Sequence, residues 1–164
     1  MKTTLISNSN TLLIGDEIID NLKNLASDSV LRRSRFCLHK NHDDKVQDMV
    51  IVVCYDCYIP PHRQLKKKKS YKIIDGAMAV FFFDDNGNIV RKKKIGVIGS
   101  QHPFIISFTS SEWHTILPLS DFVIYMETTS GPYIKEQTEF ASWAPTNDDS
   151  EDQVLKFLQN LKDY

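Results

Sequence analysis

Between residues 50 and 128 the chain is a succession of short runs rich in β-branched and aromatic residues, separated by turn formers. The runs cover residues 50–58, 70–74, 77–83, 89–97, 104–109, 114–117 and 122–128. Asp84-Asp85-Asn86-Gly87-Asn88 separates two of them and reads as a tight hairpin turn; Asp75-Gly76 and Gly131-Pro132 are further turns. No long helical pattern intervenes. Many short strands at close intervals can bury their apolar faces only against one another, so the sequence predicts a β-sandwich or barrel.

Helical periodicity is confined to the flanks. Residues 16–26 carry Ile18, Ile19, Leu22 and Leu25 at amphipathic spacing, and residues 151–161 carry Val154, Leu155, Leu158 and Leu161, with cap formers at 147–150. Residues 2–7 alternate as a short strand does. Asp43, followed by Val46, Met49 and Val50, reads as a capped helical turn. The expected organisation is one compact domain: an N-terminal strand and helix extension (1–45), a β-barrel (46–146) and a C-terminal helix (147–164). Its 164 residues suit one domain, and 41% hydrophobic with 25% charged residues is a composition that buries a core.

Several functions are excluded or made remote. The net charge of −1 gives no global attraction to nucleic acid or a membrane surface. No apolar run is long enough to span a bilayer, and the N-terminus lacks a hydrophobic signal core, so a cytoplasmic location is expected. Three cysteines, Cys37, Cys54 and Cys57, are too few for a disulfide framework. Cys54 and Cys57 sit in a strand-like run, where residues three apart face opposite sides, and read as reduced structural thiols. The basic runs 66–69 and 91–94 read as solvated charge or as contacts to a small phosphorylated molecule; without interleaved aromatics they do not read as a nucleic-acid site.

The chemistry-bearing residues follow strand parity. His62 and Gln64 are two apart and share a strand face. So do Lys69, Tyr71 and Ile73, while His114 arrives on a later strand. A closed barrel brings such inward side chains together. Arg63, between His62 and Gln64, points the other way and is expected in a structural salt bridge.

The order of these pieces resembles the cupins, and among them the WbuC-type cupin-fold metalloproteins associated with bacterial O-antigen and polysaccharide gene clusters. The resemblance spans roughly residues 32–145. It is carried by Arg35-Phe36-Cys37-Leu38-His39, Pro61-His62-Arg63, Asp75-Gly76, Phe83-Asp84-Asp85-Asn86-Gly87, Trp113-His114-Thr115, Glu127, Gly131-Pro132-Tyr133 and the stretch from Glu139 to Pro145. It implies a single double-stranded β-barrel (jelly roll), to which the helices expected at both ends, outside the resemblance, are additions; cupins are often homodimers, and an N-terminal strand is the element available for exchange.

It also implies four metal ligands: a His-x-His pair, a glutamate seven residues before a glycine, and a late histidine. These fall on His62, Gln64, Lys69 and His114, so a site for Fe, Mn, Ni or Zn keeps its first and last ligands only. Glutamine offers a carbonyl oxygen, and an ammonium has no lone pair to give. A unit charge about 4 Å from a divalent ion, at an effective dielectric near 20, is repelled by roughly 8 kcal/mol. Either Lys69 deprotonates, swings out to solvent, or excludes the metal. In the last case its ammonium, flanked by Gln64, His62 and His114, would anchor a carboxylate or phosphate.

Arg35 and His39 fall in the family's Arg-x-x-x-His segment. Arg35 would grip an anionic group or pair with a carboxylate such as Glu127; His39 would carry a proton or cap a loop. Tyr71 and Tyr133 would line a sugar-sized pocket or pack the core, Trp143 is a packing plug, and His42 and His102 are loop residues. The expected function is a cytoplasmic accessory role in surface-polysaccharide biosynthesis, with a small polar or anionic, sugar-like ligand in the barrel. The alternatives are a sugar isomerase or epimerase, with or without metal, and a non-catalytic interaction protein with a collapsed interior.

Overall fold

The computed structural model describes residues 3–6 and 9–164. The elements in chain order are β1 (Thr4–Ile6), α1 (Asp16–Ser27), β2 (Arg33–Cys37), β3 (Val46–Cys54), β4 (His62–Gln64), β5 (Lys68–Asp75), β6 (Ala77–Phe83), β7 (Ile89–Gly96), β8 (Ile105–Thr109), β9 (Trp113–Pro118), β10 (Phe122–Ser130), β11 (Thr138–Phe140) and α2 (Glu151–Asp163). The strand expected over residues 2–7 is β1; Lys2 and Ser7 lie outside the described residues. The strands form a six-stranded sheet, β1-β2-β3-β10-β5-β8, and a five-stranded sheet, β11-β4-β9-β6-β7. Faced together they make the expected jelly roll, with one helix packed on the outside of each sheet.

Parity assigns every layer. On β3 the odd residues Met49, Ile51 and Val53 enter the core between the sheets, with Tyr71 and Ile73 of β5 and Tyr125 of β10. The even residues Val50, Val52 and Cys54 face α1, where Ile18, Ile19, Leu22 and Ala26 meet them. On the smaller sheet, Met78, Val80 and Phe82 face inward, while Ala79, Phe81 and Phe83 pack under Leu158 and Leu161 of α2. Ser150 caps α2, accepting from the Gln153 amide while Gln153 Oε1 accepts from the Ser150 amide.

The helical turn expected after Asp43 is absent: Val46 opens β3. Both faces of β3 are buried, so its apolar residues run almost without a break and mimic helical spacing locally. That strand ends at Cys54 rather than at residue 58, because Tyr55 and Asp56 form a turn. Cys54 and Cys57 then fall on opposite sides of the large sheet, in separate core clusters, and all three cysteines are free and buried. At the β6–β7 hairpin, Asp84 Oδ1 accepts from the amides of Asn86 and Asn88, and Gly87 has φ +85°. A side chain at Gly87 would come within 2.7 Å of the Trp143 ring, so this glycine serves both the turn and the packing of that tryptophan.

Candidate functional site

The interior is not filled from end to end. Between the inner faces of β2, β3, β5 and β10 and the short strands β4 and β11 lies a cavity of about 500 Å³. His62, Gln64, Lys69 and Tyr71 line it, together with Arg35, His39 and Glu127. β4 enters after Pro60-Pro61, which hold the chain extended, and pairs on one side with β9 at His62–His114 and on the other with β11 at Gln64–Thr138.

Both imidazoles are fixed in one tautomer. His62 Nδ1 lies 3.1 Å from the Pro60 carbonyl and His114 Nδ1 lies 2.8 Å from that of Glu112. A carbonyl can only accept, so each Nδ1 carries the proton and each Nε2 presents a lone pair. Burial first, and the Lys69 ammonium second, lower the His62 pKa to about 3. Burial, then His62 and Lys69, hold His114 well below the ordinary histidine range. Both rings are neutral at physiological pH. Their centroids are 4.5 Å apart, with His114 behind His62 rather than on the cavity wall and its Nε2 without a hydrogen-bond partner.

Lys69 does not swing out. Its side chain is 4% exposed, and its Nζ lies 3.5 Å from His62 Nε2 and 3.4 Å from Glu127 Oε1. The ammonium can therefore donate to the imidazole lone pair that a metal would have used. Glu127 thus pairs with Lys69, not with Arg35 as the sequence suggested; Arg35 is exposed at the mouth, with Nη1 4.0 Å from Met49 Sδ. Gln64 Nε2 donates to Thr138 Oγ1 at 2.9 Å, which leaves Oε1 buried with no partner. His39 donates through Nδ1 to the Asp48 carbonyl at 3.0 Å and forms part of the wall. Burial and the Glu127 carboxylate push the Tyr71 and Tyr125 phenols well above their usual range, so both stay protonated donors.

The donor set does not fit a divalent metal. Among the described residues no three His, Cys, Asp or Glu side chains gather to hold one. The two imidazoles are joined by an amide and a buried cation, and that cation lies against one of the two lone pairs on offer.

The remaining expectations sort by parity. Arg63 faces away from the cavity, bonded to Glu139 at 2.8 Å and Asp85 at 3.2 Å and lying 4.3 Å over the Trp113 ring. Trp143 packs against Phe83. Tyr71 stacks edge-on with Phe108 and Tyr125 and also lines the cavity. His42 is more than a loop residue: it meets Tyr133 at the mouth, ring centroids 5.1 Å apart. Sequence reasoning missed Arg33. It precedes Arg35 by two residues, so the parity that grouped His62 with Gln64 groups these two arginines on the cavity face of β2.

Two facing sheets with inward histidines on β4 and β9 and a cavity at one end of the sandwich define a cupin-type jelly roll. Residues 14–95 match the model of DUF6016, a domain of unknown function, and the chain belongs to that family. No curated protein matches it. Among solved structures it is similar to protein SO0799 from Shewanella oneidensis (TM-score 0.60, 9% identity, 88% of this chain and 92% of that one). It is also similar to the capsular polysaccharide assembling protein CapF from Staphylococcus aureus (TM-score 0.53, 14% identity, 66% of this chain). The chain spans 31% of the length of CapF. Among the described residues no helix is long and apolar enough to cross a membrane.

Proposed function

We propose that the cavity binds a small hydroxylated acid, a sugar acid or the sugar-acid part of a larger anion, without a metal. The observation that carries this reading is the buried Lys69 in contact with His62 and Glu127. Because Glu127 already balances Lys69, the ligand's negative charge is drawn to the mouth, where Arg33 and Arg35 line the wall. The deep end instead offers an unused acceptor, Gln64 Oε1, with the Tyr71 and Lys69 donors beside it. A buried acceptor without a partner favours a ligand that donates, as a hydroxyl does. The ligand would enter hydroxyls first and leave its carboxylate at the arginines.

The resemblance to WbuC-type cupins and the fold likeness to CapF support a role in surface-polysaccharide biosynthesis, and three reduced buried thiols suit the cytoplasm. The open cavity favours ligand binding over a purely structural interaction role. Acid/base catalysis by His62 is the weaker reading, since an imidazole with a pKa near 3 takes up a proton poorly at neutral pH.

The test is calorimetric titration with glucuronate, galacturonate, UDP-glucuronate and glucose. Saturable binding of at least one acid is expected, with glucose at least tenfold weaker and a tenfold or greater loss in an Arg33→Ala/Arg35→Ala variant. Equal affinity for glucose and glucuronate, or no saturable heat with any acid, would overturn the reading.

A further inference from the structure

A second depression lies at the opposite edge of the sandwich, where β7 and β8 end their respective sheets without pairing to each other. It encloses about 310 Å³, floored by Phe82, Ile95, Ile106 and Phe108 and flanked by Lys93 and Lys94. Both lysines are exposed, neither takes part in an ion pair among the described residues, and no carboxylate lines the groove. Arg91 is different, since Glu112 holds it at 2.8 Å.

The free edge of β8 has a defined backbone. The Phe104 carbonyl accepts from the Ile73 amide, and the β5–β8 register continues in antiparallel steps through Ile106–Tyr71 and Phe108–Lys69. In such a ladder the bonded residues alternate. Phe104, Ile106 and Phe108 therefore use their backbone groups toward β5. Ile105 and Ser107 turn theirs outward, on an edge that also exposes the side chains of Phe104 (38%) and Ile105 (48%).

An open, apolar strand edge beside uncompensated cations is a template for strand addition. We infer that the β7–β8 groove docks an extended acidic segment of a partner protein, which adds to β8 as a further strand. The side chains on its inward face would meet the groove, apolar ones over Ile106 and Phe108 and carboxylates at Lys93 and Lys94. The charge decides the occupant. A second copy of this chain paired edge to edge would bring the same lysines together, whereas an acidic strand neutralises them.

The probe is a capped peptide with valine and glutamate taking turns on one strand face and threonine on the other (Val-Thr-Glu-Thr repeats), compared by fluorescence anisotropy on the full chain with its counterpart in which lysine replaces glutamate. The acidic peptide should bind at least tenfold more tightly, and more weakly as salt rises. A Lys93→Glu/Lys94→Glu variant should lose that preference. Ser107→Pro removes an amide the ladder does not use, so it should abolish binding while leaving the melting temperature within a few degrees. Equal binding of the two peptides, binding unchanged by Ser107→Pro, or sedimentation showing that the groove variants dissolve a homodimer instead, would each overturn the inference.

Discussion

The two ends of one interior are built on opposite terms. Toward β6, β7 and β8 the sheets meet through Met78, Val80, Phe82, Ile95 and Phe108, close-packed and apolar. Toward β2, β4 and β11 the same parity delivers Arg33, Arg35, Gln64, Lys69 and Glu127 to a cavity. The strands β3, β5 and β10 run through both regions, so the contrast lies in which side chain occupies each inward position. Burial at one end is stabilising in itself. At the other it is tolerated only because each charge or dipole has a partner, or awaits one from a ligand.

That contrast breaks most sharply in stability. Phe82→Ala should cost about 3–5 kcal/mol in urea unfolding, because the surrounding rings cannot fill the space. Lys69→Ala should cost about 3 kcal/mol for a different reason, by stranding the Glu127 carboxylate. A Lys69→Met/Glu127→Met double variant should recover to within about 1 kcal/mol of the parent or exceed it. If it instead behaves as two additive losses, the ion pair is not the organising interaction of the cavity.

The effect of pH should also separate the two ends. His62 and His114 titrate far lower in the fold than in the unfolded chain, where the imidazole pKa is near 6.5. Between those values the unfolded chain binds more protons, so stability should be complete above about pH 6.5 and fall as pH drops toward 3. The slope should be about 1.4 kcal/mol per pH unit for each proton. Thermal melts across that range should show the fall, and His62→Gln should make it about half as steep, leaving the His114 contribution.

Smaller still, Gln64→Leu should change stability by about 1 kcal/mol or less, since the loss of a buried acceptor that has no partner offsets the lost bond to Thr138. It should nonetheless weaken sugar-acid binding about tenfold. Cys57, whose thiol burial raises to about 12, should resist a disulfide reagent at pH 8 until the chain is unfolded.

Much of this was legible in the chain because β-structure writes with a period of two. The hairpin at Asp84–Asn88, the shared face of His62 and Gln64, and the inward turn of Lys69 with Tyr71 all follow from counting. The start of β3 was not legible, because burial on both faces erased the alternation that marks a strand. The partner of Lys69 was not legible either. Glu127 reaches it across β5 and β10 through a cross-strand register that no local spacing encodes. The orphaned Gln64 oxygen likewise depends on Thr138 of β11 claiming the other half of the amide.

Lys69 stands where the resemblance would put a metal ligand, and the proposed function has it take the metal's place. Elemental mass spectrometry on the untagged protein, after exposure to Fe, Mn, Ni and Zn salts, beside a Gln64→His/Lys69→Glu double variant, tests it most directly. The parent should hold negligible metal and the double variant should take it up near-stoichiometrically. Stoichiometric metal in the parent would contradict that reading.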